Sequence, residues 1–340
     1  MNRRSFTKKV ALSVPVLAGA SFMPAPQRIL PKRLQPGDTI GLITPGSYIE
    51  EEGLQKAVDN MLKLGFRLKL GKNIRVQRGF NAGTDQQRLD DLHMMFADDS
   101  VSGIWCARGG YGCSRLLPNI DYDLIRNNPK ALIGYSDVTA LLNAIFHKTG
   151  LIGFHGPVGA SELTEYTEAQ FRAVVMEGRT AHSISLSPEN KEKEDTAFHT
   201  FTINKGKARG VLIGGNLSLL AAMAGTDYLP EAKGKLVFIE DVGEKPYRID
   251  RMLTQLRQAW QLGQSAGIAM GIFEDCQAKE EERSLSLTET VIDRIKELNV
   301  PAVYGLSFGH IANQCTLPVG IEAELDVEGQ SLTLLEAAVR

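Results

Sequence analysis

A serine in a compressed strand–turn–helix segment is the first candidate for chemistry. Residues 131–133 form a short apolar run typical of a buried parallel strand, and apolar residues at helical spacing resume over 138–145. Ser136 lies in the turn between them, where its hydroxyl would project from the sheet beside backbone N–H groups. This indicates a nucleophile elbow, although Val138 stands where the G-x-S-x-G pattern has its second glycine. The structural alternative is that Asp137 caps the helix and Ser136 is a turn residue.

A serine nucleophile needs a base, and the base needs a carboxylate that orients it. Of six histidines, His155 and His310 follow apolar strands in glycine-flanked loops, whereas the others lie in helices or beside a charged segment. Glu240 ends an apolar run and is the first candidate carboxylate, with Asp241 and Glu244 as alternatives. Its structural alternative is an ion pair with an arginine of the next helix.

The cysteines indicate neither a metal site nor a redox motif. Cys106, Cys113, Cys276 and Cys315 form no C-x-x-C pair, which predicts free buried thiols; a disulfide between the first two is the alternative in an exported protein. Neither Cys106 nor Cys113 lies on an elbow, which disfavours a cysteine amidotransferase. The glycines of 110–112 lack the third glycine of a dinucleotide fingerprint. No metal ion or cofactor is expected.

The elements that must position these residues fit in two domains. The chain has 340 residues, of which 43% are hydrophobic and 23% charged, as in an ordinary folded protein. Its 38 basic and 40 acidic residues give a net charge of -2. This balance provides no basic surface for a phosphate backbone, so nucleic-acid binding is excluded.

The N-terminus predicts an export signal. Arg3 and Arg4 precede Phe6, and an uncharged apolar run over 10–23 with small residues follows. This order is typical of a twin-arginine signal peptide over 1–26, so a periplasmic or exported protein is expected; a basic tail on a cytoplasmic protein is the alternative. The run is too short for a transmembrane helix, and no membrane anchor is expected after cleavage.

Strands and helices alternate over 37–180, which predicts a doubly wound parallel sheet. Ser136 and the glycine-rich loop 108–112 both follow predicted strands, at the sheet edge where such folds bind ligands. The charge run at 188–195 has no apolar face, so 181–205 is predicted to be a linker. The second domain, 206–340, mixes strands and helices and ends in a hairpin over 321–335.

Five motifs together resemble the LD-carboxypeptidase family, serine peptidases that trim murein peptides and are related to the microcin C immunity peptidases. They occur in matching order between about Gly37 and Leu335. The motifs are Gly134-Tyr135-Ser136-Asp137, Arg108-Gly109-Gly110-Tyr111-Gly112, Gly214-Gly215-Asn216-Leu217, Glu240-Asp241-Val242-Gly243-Glu244 with Tyr247-Arg248-Ile249-Asp250-Arg251, and Gly309-His310. The export signal departs from the many family members that act in the cytoplasm.

The resemblance implies an α/β protein with a flavodoxin-like N-terminal domain and a smaller β-rich C-terminal domain. It implies a triad of Ser136, Glu240 and His310 in the cleft between them, with an oxyanion hole at the N–H groups of Asp137 and Gly110. The implied reaction is hydrolysis of the bond between an L-configured diamino-acid centre and a terminal D-alanine in murein peptides. A homodimer is implied as well.

Three further residues are candidates for substrate binding. Arg108 could hold the free carboxylate of the substrate, while Tyr111 and Asn216 could bind the peptide. The structural alternatives are an ion pair for Arg108, packing for Tyr111 and a helix cap for Asn216. Two other functions stay open on the same scaffold: an immunity-type amidase acting on a microcin-like acyl-nucleotide or another modified peptide, and a non-catalytic murein-peptide binding protein.

Overall fold

The computed structural model of the chain describes residues 27–184, 186–279 and 283–340. The predicted signal peptide over 1–26 therefore lies outside the described residues. Within these ranges, no helix combines the length and the apolar character needed to span a bilayer.

The first half of the chain alternates strands and helices. It contains β1 (Thr39–Ile43), α1 (Glu51–Lys63), β2 (Arg67–Leu70), α2 (Asp85–Ala97), β3 (Gly103–Cys106), α3 (Tyr122–Asn127), β4 (Ala131–Gly134), α4 (Thr139–Thr149), β5 (Gly153–His155) and α5 (Glu165–Phe171). Strands β1 to β5 are parallel in the order 2-1-3-4-5. This is the flavodoxin-like order, so the fold expected for this half is confirmed.

Local sequence explains these elements. Strand β1 has four buried residues in succession, as a parallel strand covered on both faces requires. Helix α1 begins with Glu51 and Glu52, whose charges favour the positive end of the helix dipole. One face of α1 buries Leu54, Ala57 and Met61 against the sheet.

Most strands of the second half form an eight-stranded mixed sheet. This half of the chain contains β6 (His182–Ile184), α6 (Pro188–Lys191), β7 (Phe201–Asn204), β8 (Lys207–Asn216), α7 (Leu217–Met223), β9 (Leu236–Val242), α8 (Pro246–Ala259), β10 (Gly267–Glu274), α9 (Leu287–Ile295), β11 (Ala302–Tyr304), β12 (Leu317–Val319), β13 (Glu322–Asp326) and β14 (Ser331–Leu334). The strand order of the sheet is β6-β14-β13-β8-β9-β10-β11-β7. Strands β8 to β11 are parallel, and the outer pairs are antiparallel. The predicted terminal hairpin is β13 and β14.

Two features differ from the sequence prediction. Residues 181–205, predicted to be a linker, contribute β6 and β7, which pair with β14 and β11 at the two edges of the second sheet. The second sheet therefore has eight strands, two more than the first. Strand β12 leaves this half and pairs antiparallel with β5 of the first sheet. Buried residues of both halves consequently form one continuous core.

Candidate active site

Ser136 occupies the sharp bend between β4 and α4. Its φ of 62° is in the left-handed region, which costs a non-glycine residue roughly 1 kcal/mol or more. The next loop packs directly on the hydroxyl: a Cβ at Gly109 would lie 2.9 Å from the Cβ of Ser136 and 3.2 Å from its Oγ. Only glycine permits this approach. The segment has the shape of the elbow that the sequence predicted.

A continuous hydrogen-bonded chain connects Ser136 to a buried carboxylate. The Nε2 atom of His310 lies 2.9 Å from Oγ of Ser136, and its Nδ1 atom lies 2.7 Å from Oε2 of Glu240. Glu240 is fully buried, whereas the imidazole is slightly exposed. Because an ionised carboxylate only accepts, Nδ1 carries the ring proton, and the lone pair of Nε2 faces the serine hydroxyl. The arrangement can take a proton from Oγ.

The electrostatics of the pair favour ionised Glu240. Burial would lower the pKa of His310, but the charge of Glu240 and its hydrogen bond outweigh burial and raise that pKa above its ordinary value. For Glu240, burial would raise the pKa, but the contacts with His310 outweigh this effect and lower it. Each partner therefore stabilises the charged form of the other.

Backbone hydrogen bonds hold His310 against Glu240. Glu240 lies on β9, which is covered by strands on both sides. His310 follows β11 in a loop that is fastened to β10 by the N–H of Ile272, which donates to the carbonyl of Phe308 at 3.0 Å. Gly309 has a φ of 124°, and a Cβ there would lie 2.7 Å from the carbonyl oxygen of Ile272. The close approach requires glycine at this position.

The two halves of the chain are joined beside the site. The amide of Asn143 on α4 donates to the carbonyl of Gly214 at the end of β8, at 2.8 Å. The N–H of Asn216 donates to the hydroxyl of Thr139 at 3.0 Å. These buried contacts fix the helix that follows Ser136 to the strand beside Glu240. Gly214 and Asn216 of the Gly214-Gly215-Asn216 motif thus help to join the two halves of the chain.

The glycine-rich loop is anchored to the elbow by Asp137. This buried carboxylate accepts from the N–H of Cys113 at 2.8 Å, and burial raises its pKa, while the hydrogen bonds oppose that shift. On the other side, the N–H of Ser47 donates to the carbonyl of Gly109 at 3.1 Å, and the N–H of Tyr111 donates to the hydroxyl of Ser47 at 3.1 Å. Gly110 lies between these two fixed peptides, and its oxyanion role stays a prediction.

Comparison with known proteins identifies the chain. The model of the LD-carboxypeptidase N-terminal domain matches residues 40–156, and that of the C-terminal domain matches residues 209–325. The chain belongs to the LD-carboxypeptidase family. As a family member it is a serine-type peptidase and a hydrolase, and the resemblance seen in its sequence is confirmed.

Relatives of the chain match it over nearly their whole length. The probable murein peptide carboxypeptidase of Bacillus subtilis is 39% identical, covering 91% of this chain and 95% of the relative. The murein tetrapeptide carboxypeptidase of Pseudomonas aeruginosa is 36% identical, covering 84% and 92%. The crystal structure of an MccF-like protein from Bacillus anthracis superposes with a TM-score of 0.77 at 30% identity, covering 91% and 99%. Both halves of the chain therefore belong to the family fold.

The three substrate-binding candidates have different surroundings. Arg108 is half-buried, donates to the carbonyl of Tyr48 at 3.0 Å, and has no acidic partner among the described residues. Tyr111 is 52% exposed and packs edge-on against the exposed ring of Phe80 at a centroid distance of 5.2 Å. These two remain candidates.

Asn216, the third candidate, makes the helix cap that was its structural alternative, and its role in substrate binding stays a prediction. It is nearly fully buried, its side-chain oxygen accepts from the N–H of Leu219 as a helix cap, and its amide donates to Asp241 at 2.9 Å. Asp241 itself accepts from the hydroxyl of Ser218, and burial raises its pKa to about 6. Glu240 is thus the acid in contact with the imidazole.

The four cysteines are free and buried, as expected from their spacing. Burial raises the pKa of each thiol, for Cys276 to about 12, which makes these groups poor nucleophiles. Among the described residues, no cluster of histidine, cysteine and carboxylate side chains could hold a metal ion.

Sequence reasoning named His155 only as a candidate base, but its ring is fully buried beside Glu240. It also missed Thr139 and Asn143, because nothing in their local pattern signals a contact with the other half.

Proposed function

We propose that this protein is a serine LD-carboxypeptidase that releases the terminal D-alanine of murein tetrapeptides. Ser136 is the nucleophile, His310 the general base and Glu240 the residue that orients the base. One observation carries the proposal: Ser136, His310 and Glu240 are joined by hydrogen bonds of 2.9 Å and 2.7 Å at an elbow. The names of the murein peptide carboxypeptidases among its relatives support the substrate class.

In the first half-reaction, Oγ of Ser136 attacks the carbonyl carbon that joins the L-configured centre to D-alanine, and Nε2 of His310 takes the hydroxyl proton. Glu240 stabilises the imidazolium that forms. The N–H groups of Asp137 and Gly110 hold the oxyanion, and each such donor typically contributes roughly 3 kcal/mol. The C–N bond then breaks, and His310 returns its proton to the leaving amine.

In the second half-reaction, water replaces D-alanine in front of His310. The imidazole takes a proton from water, and the hydroxide attacks the acyl carbon of the ester on Ser136. The bond between the acyl carbon and Oγ then breaks, and His310 returns its proton to Oγ. The left-handed backbone conformation of Ser136 presents its Oγ at the bend for both steps.

Recognition of the substrate's free carboxylate is assigned to Arg108. Its guanidinium makes a hydrogen bond to the backbone of Tyr48 and no ion pair with a described residue, so further N–H donors are available to a carboxylate. Arg108 and Gly110 belong to the same loop, which would place the terminal carboxylate close to the oxyanion. Because Arg108 would require a free C-terminal carboxylate on the substrate, the enzyme would be a carboxypeptidase rather than an endopeptidase.

The test is incubation of the purified protein with a defined murein tetrapeptide, followed by mass spectrometry. We expect loss of one alanine, shown to be D-alanine by chiral analysis, and loss of this activity in Ser136→Ala. Ser183→Ala, at an exposed serine of edge strand β6, is the matched control and should keep full activity. Full activity in Ser136→Ala would contradict the proposal. Cleavage of an acyl-nucleotide amide alone would favour the immunity-type amidase, and binding without turnover would favour a murein-peptide binding protein.

We further propose that the protein is exported through its twin-arginine segment. The support is the order of Arg3, Arg4, the uncharged run and the small residues. Replacing both arginines with lysine should retain the protein in the cytoplasm, as cell fractionation would reveal; unchanged export would contradict the proposal. Formation of a homodimer stays a prediction of the family resemblance, and sedimentation of the purified protein tests it.

A further inference from the structure

A second imidazole lies behind the carboxylate of Glu240. His155 ends β5, and its side chain is only 1% exposed. Its Nε2 atom is 4.0 Å from Oε1 of Glu240, the oxygen that does not face His310. Among the described residues, neither ring nitrogen of His155 has a hydrogen-bond partner, and no group donates a hydrogen bond to Oε1 of Glu240. Unpartnered buried polar atoms are rare in native proteins, so two of them facing each other require an explanation.

The surroundings keep this imidazole neutral. His155 contacts the rings of Phe238 and Tyr135 edge-on, at centroid distances of 5.1 Å and 6.0 Å. Burial lowers the pKa of His155 to about 4, against the opposing effect of Glu240. At neutral pH the ring therefore carries one proton, on either Nδ1 or Nε2. A lone pair of Nε2 would repel Oε1, whereas an N–H there would be attracted to it.

We propose that His155 is a positioning residue that directs its Nε2–H at Oε1 of Glu240 and thereby holds Oε2 towards His310. The inference deepens the proposed function, because it rests on Glu240 orienting His310. A carboxylate fixed at one oxygen only can rotate about its terminal bond. An N–H group directed at the other oxygen restricts this rotation and stabilises the buried charge. The amide of Asn216 also faces Glu240 and lowers its pKa, but it donates to Asp241.

The role of His155 has a consequence for pH dependence. The pair of Glu240 and His310 loses a proton to reach the active form, in which a net negative charge is buried. The N–H of His155 stabilises that form, so removal of the N–H should raise the pH at which the pair loses its proton. The other titratable groups that face the pair are Asp241 on β9, Glu274 on β10, Tyr135 at the elbow and Cys276 after β10. They are unchanged in variants of His155, so a shift would belong to this residue.

The experiment compares His155→Gln with His155→Leu in the full-length protein. The amide nitrogen of glutamine can reach the position of Nε2, whereas leucine fills similar space without a donor. We expect kcat/KM for the murein tetrapeptide to fall roughly tenfold in His155→Leu through kcat rather than KM, because the N–H dipole no longer attracts the buried carboxylate. The acid limb of its pH profile should move to higher pH. His155→Gln should recover most of the rate and the original limb.

Two readouts do not depend on the natural substrate. The rate of labelling by a serine-directed fluorophosphonate should show the same order of variants and the same shift of the acid limb. In the wild type, ¹⁵N NMR of the imidazole of His155 should report an Nε2–H tautomer that does not titrate between about pH 5 and 9. The NMR measurement needs no variant, so it holds even where a variant folds poorly.

Three results would overturn the inference: an unshifted acid limb in folded His155→Leu, an equal loss in the glutamine and leucine variants, or an Nδ1–H tautomer. Failure of the proposed function is distinguishable from these results. If the wild type reacts with the fluorophosphonate but releases no D-alanine, the substrate is wrong while the labelling rates still test His155. Labelling that persists in Ser136→Ala would instead contradict the nucleophile.

Discussion

Glu240→Gln removes the buried negative charge beside His310 and keeps the size of the side chain. The carboxylate oxygen Oε2 lies 2.7 Å from Nδ1 of His310, and the residue is fully buried. Glutamine can present either its oxygen or its amide nitrogen to the imidazole. With the nitrogen, the ring must carry its proton on Nε2, and the lone pair needed to activate Ser136 is lost.

The structure gives the size of the effect. The charge centres of an imidazolium and the carboxylate in this contact lie about 4 Å apart, and at an effective dielectric constant of about 20 their attraction is about 4 kcal/mol. This stabilisation is present when His310 is protonated, as in the transition state, and is lost in the variant. We therefore expect kcat to fall by about a thousandfold, with little change in KM.

The same variant has a predicted pH signature. The charge of Glu240 outweighs the burial of His310 and raises the pKa of that imidazole above its ordinary value. Without the charge, burial dominates and the pKa falls. The active form needs neutral His310, so the acid limb of kcat/KM should move to lower pH. The direction is opposite to that expected for His155→Leu, which separates the two roles.

The assay is release of D-alanine from a murein tetrapeptide at a series of pH values, in wild type and Glu240→Gln. Glu324→Gln, at a partly exposed position on β13 of the same sheet, is the matched control and should behave as the wild type. A Glu240→Gln rate within tenfold of the wild type, or an acid limb that moves to higher pH, would refute the reasoning.

Three other substitutions test the surroundings of the site. Asn143→Ala removes the buried donor to Gly214 and should lower the free energy of unfolding by about 1–3 kcal/mol, measured by urea denaturation; an unchanged midpoint would contradict this. Arg108→Gln should raise KM for the tetrapeptide roughly tenfold and leave KM for its C-terminal amide unchanged; equal effects on both would exclude carboxylate binding. Asp137→Ala frees the N–H of Cys113 and should lower kcat about tenfold or more by loosening the oxyanion loop, whereas wild-type kcat would show that the loop needs no anchor.

The sequence predicts what depends on local pattern. Strand, bend and helix around Ser136 are encoded within residues 131–145, and the structure has them there. Alternating strands and helices predict the parallel doubly wound sheet of the first half, whereas its flavodoxin-like strand order was implied only by the family resemblance. The choice between His155 and His310 does not follow from local pattern, because the sequence predicts both in glycine-flanked loops after strands. Only the tertiary arrangement distinguishes the imidazole that contacts Ser136 from the one behind Glu240.

The segment 181–205 shows what local pattern cannot predict. Strands β6 and β7 are short edge strands with few buried residues, so they lack both the alternation and the apolar run of a typical strand. Their partners supply the missing stability: Leu332 pairs with Ile184, and Val303 pairs with Thr202. The charged residues that suggested a linker include a short helix tied down by Asn190, whose amide donates to the carbonyl of Asn313.

The central claim is that the hydroxyl at the elbow is the group activated by His310, and mapping of a fluorophosphonate adduct by peptide mass spectrometry tests it most directly. We predict a single adduct on Ser136, formed by the wild type and by Ser183→Ala, and almost none in His310→Ala. An adduct on a different residue, or undiminished labelling of Ser136 without the imidazole, would contradict the account.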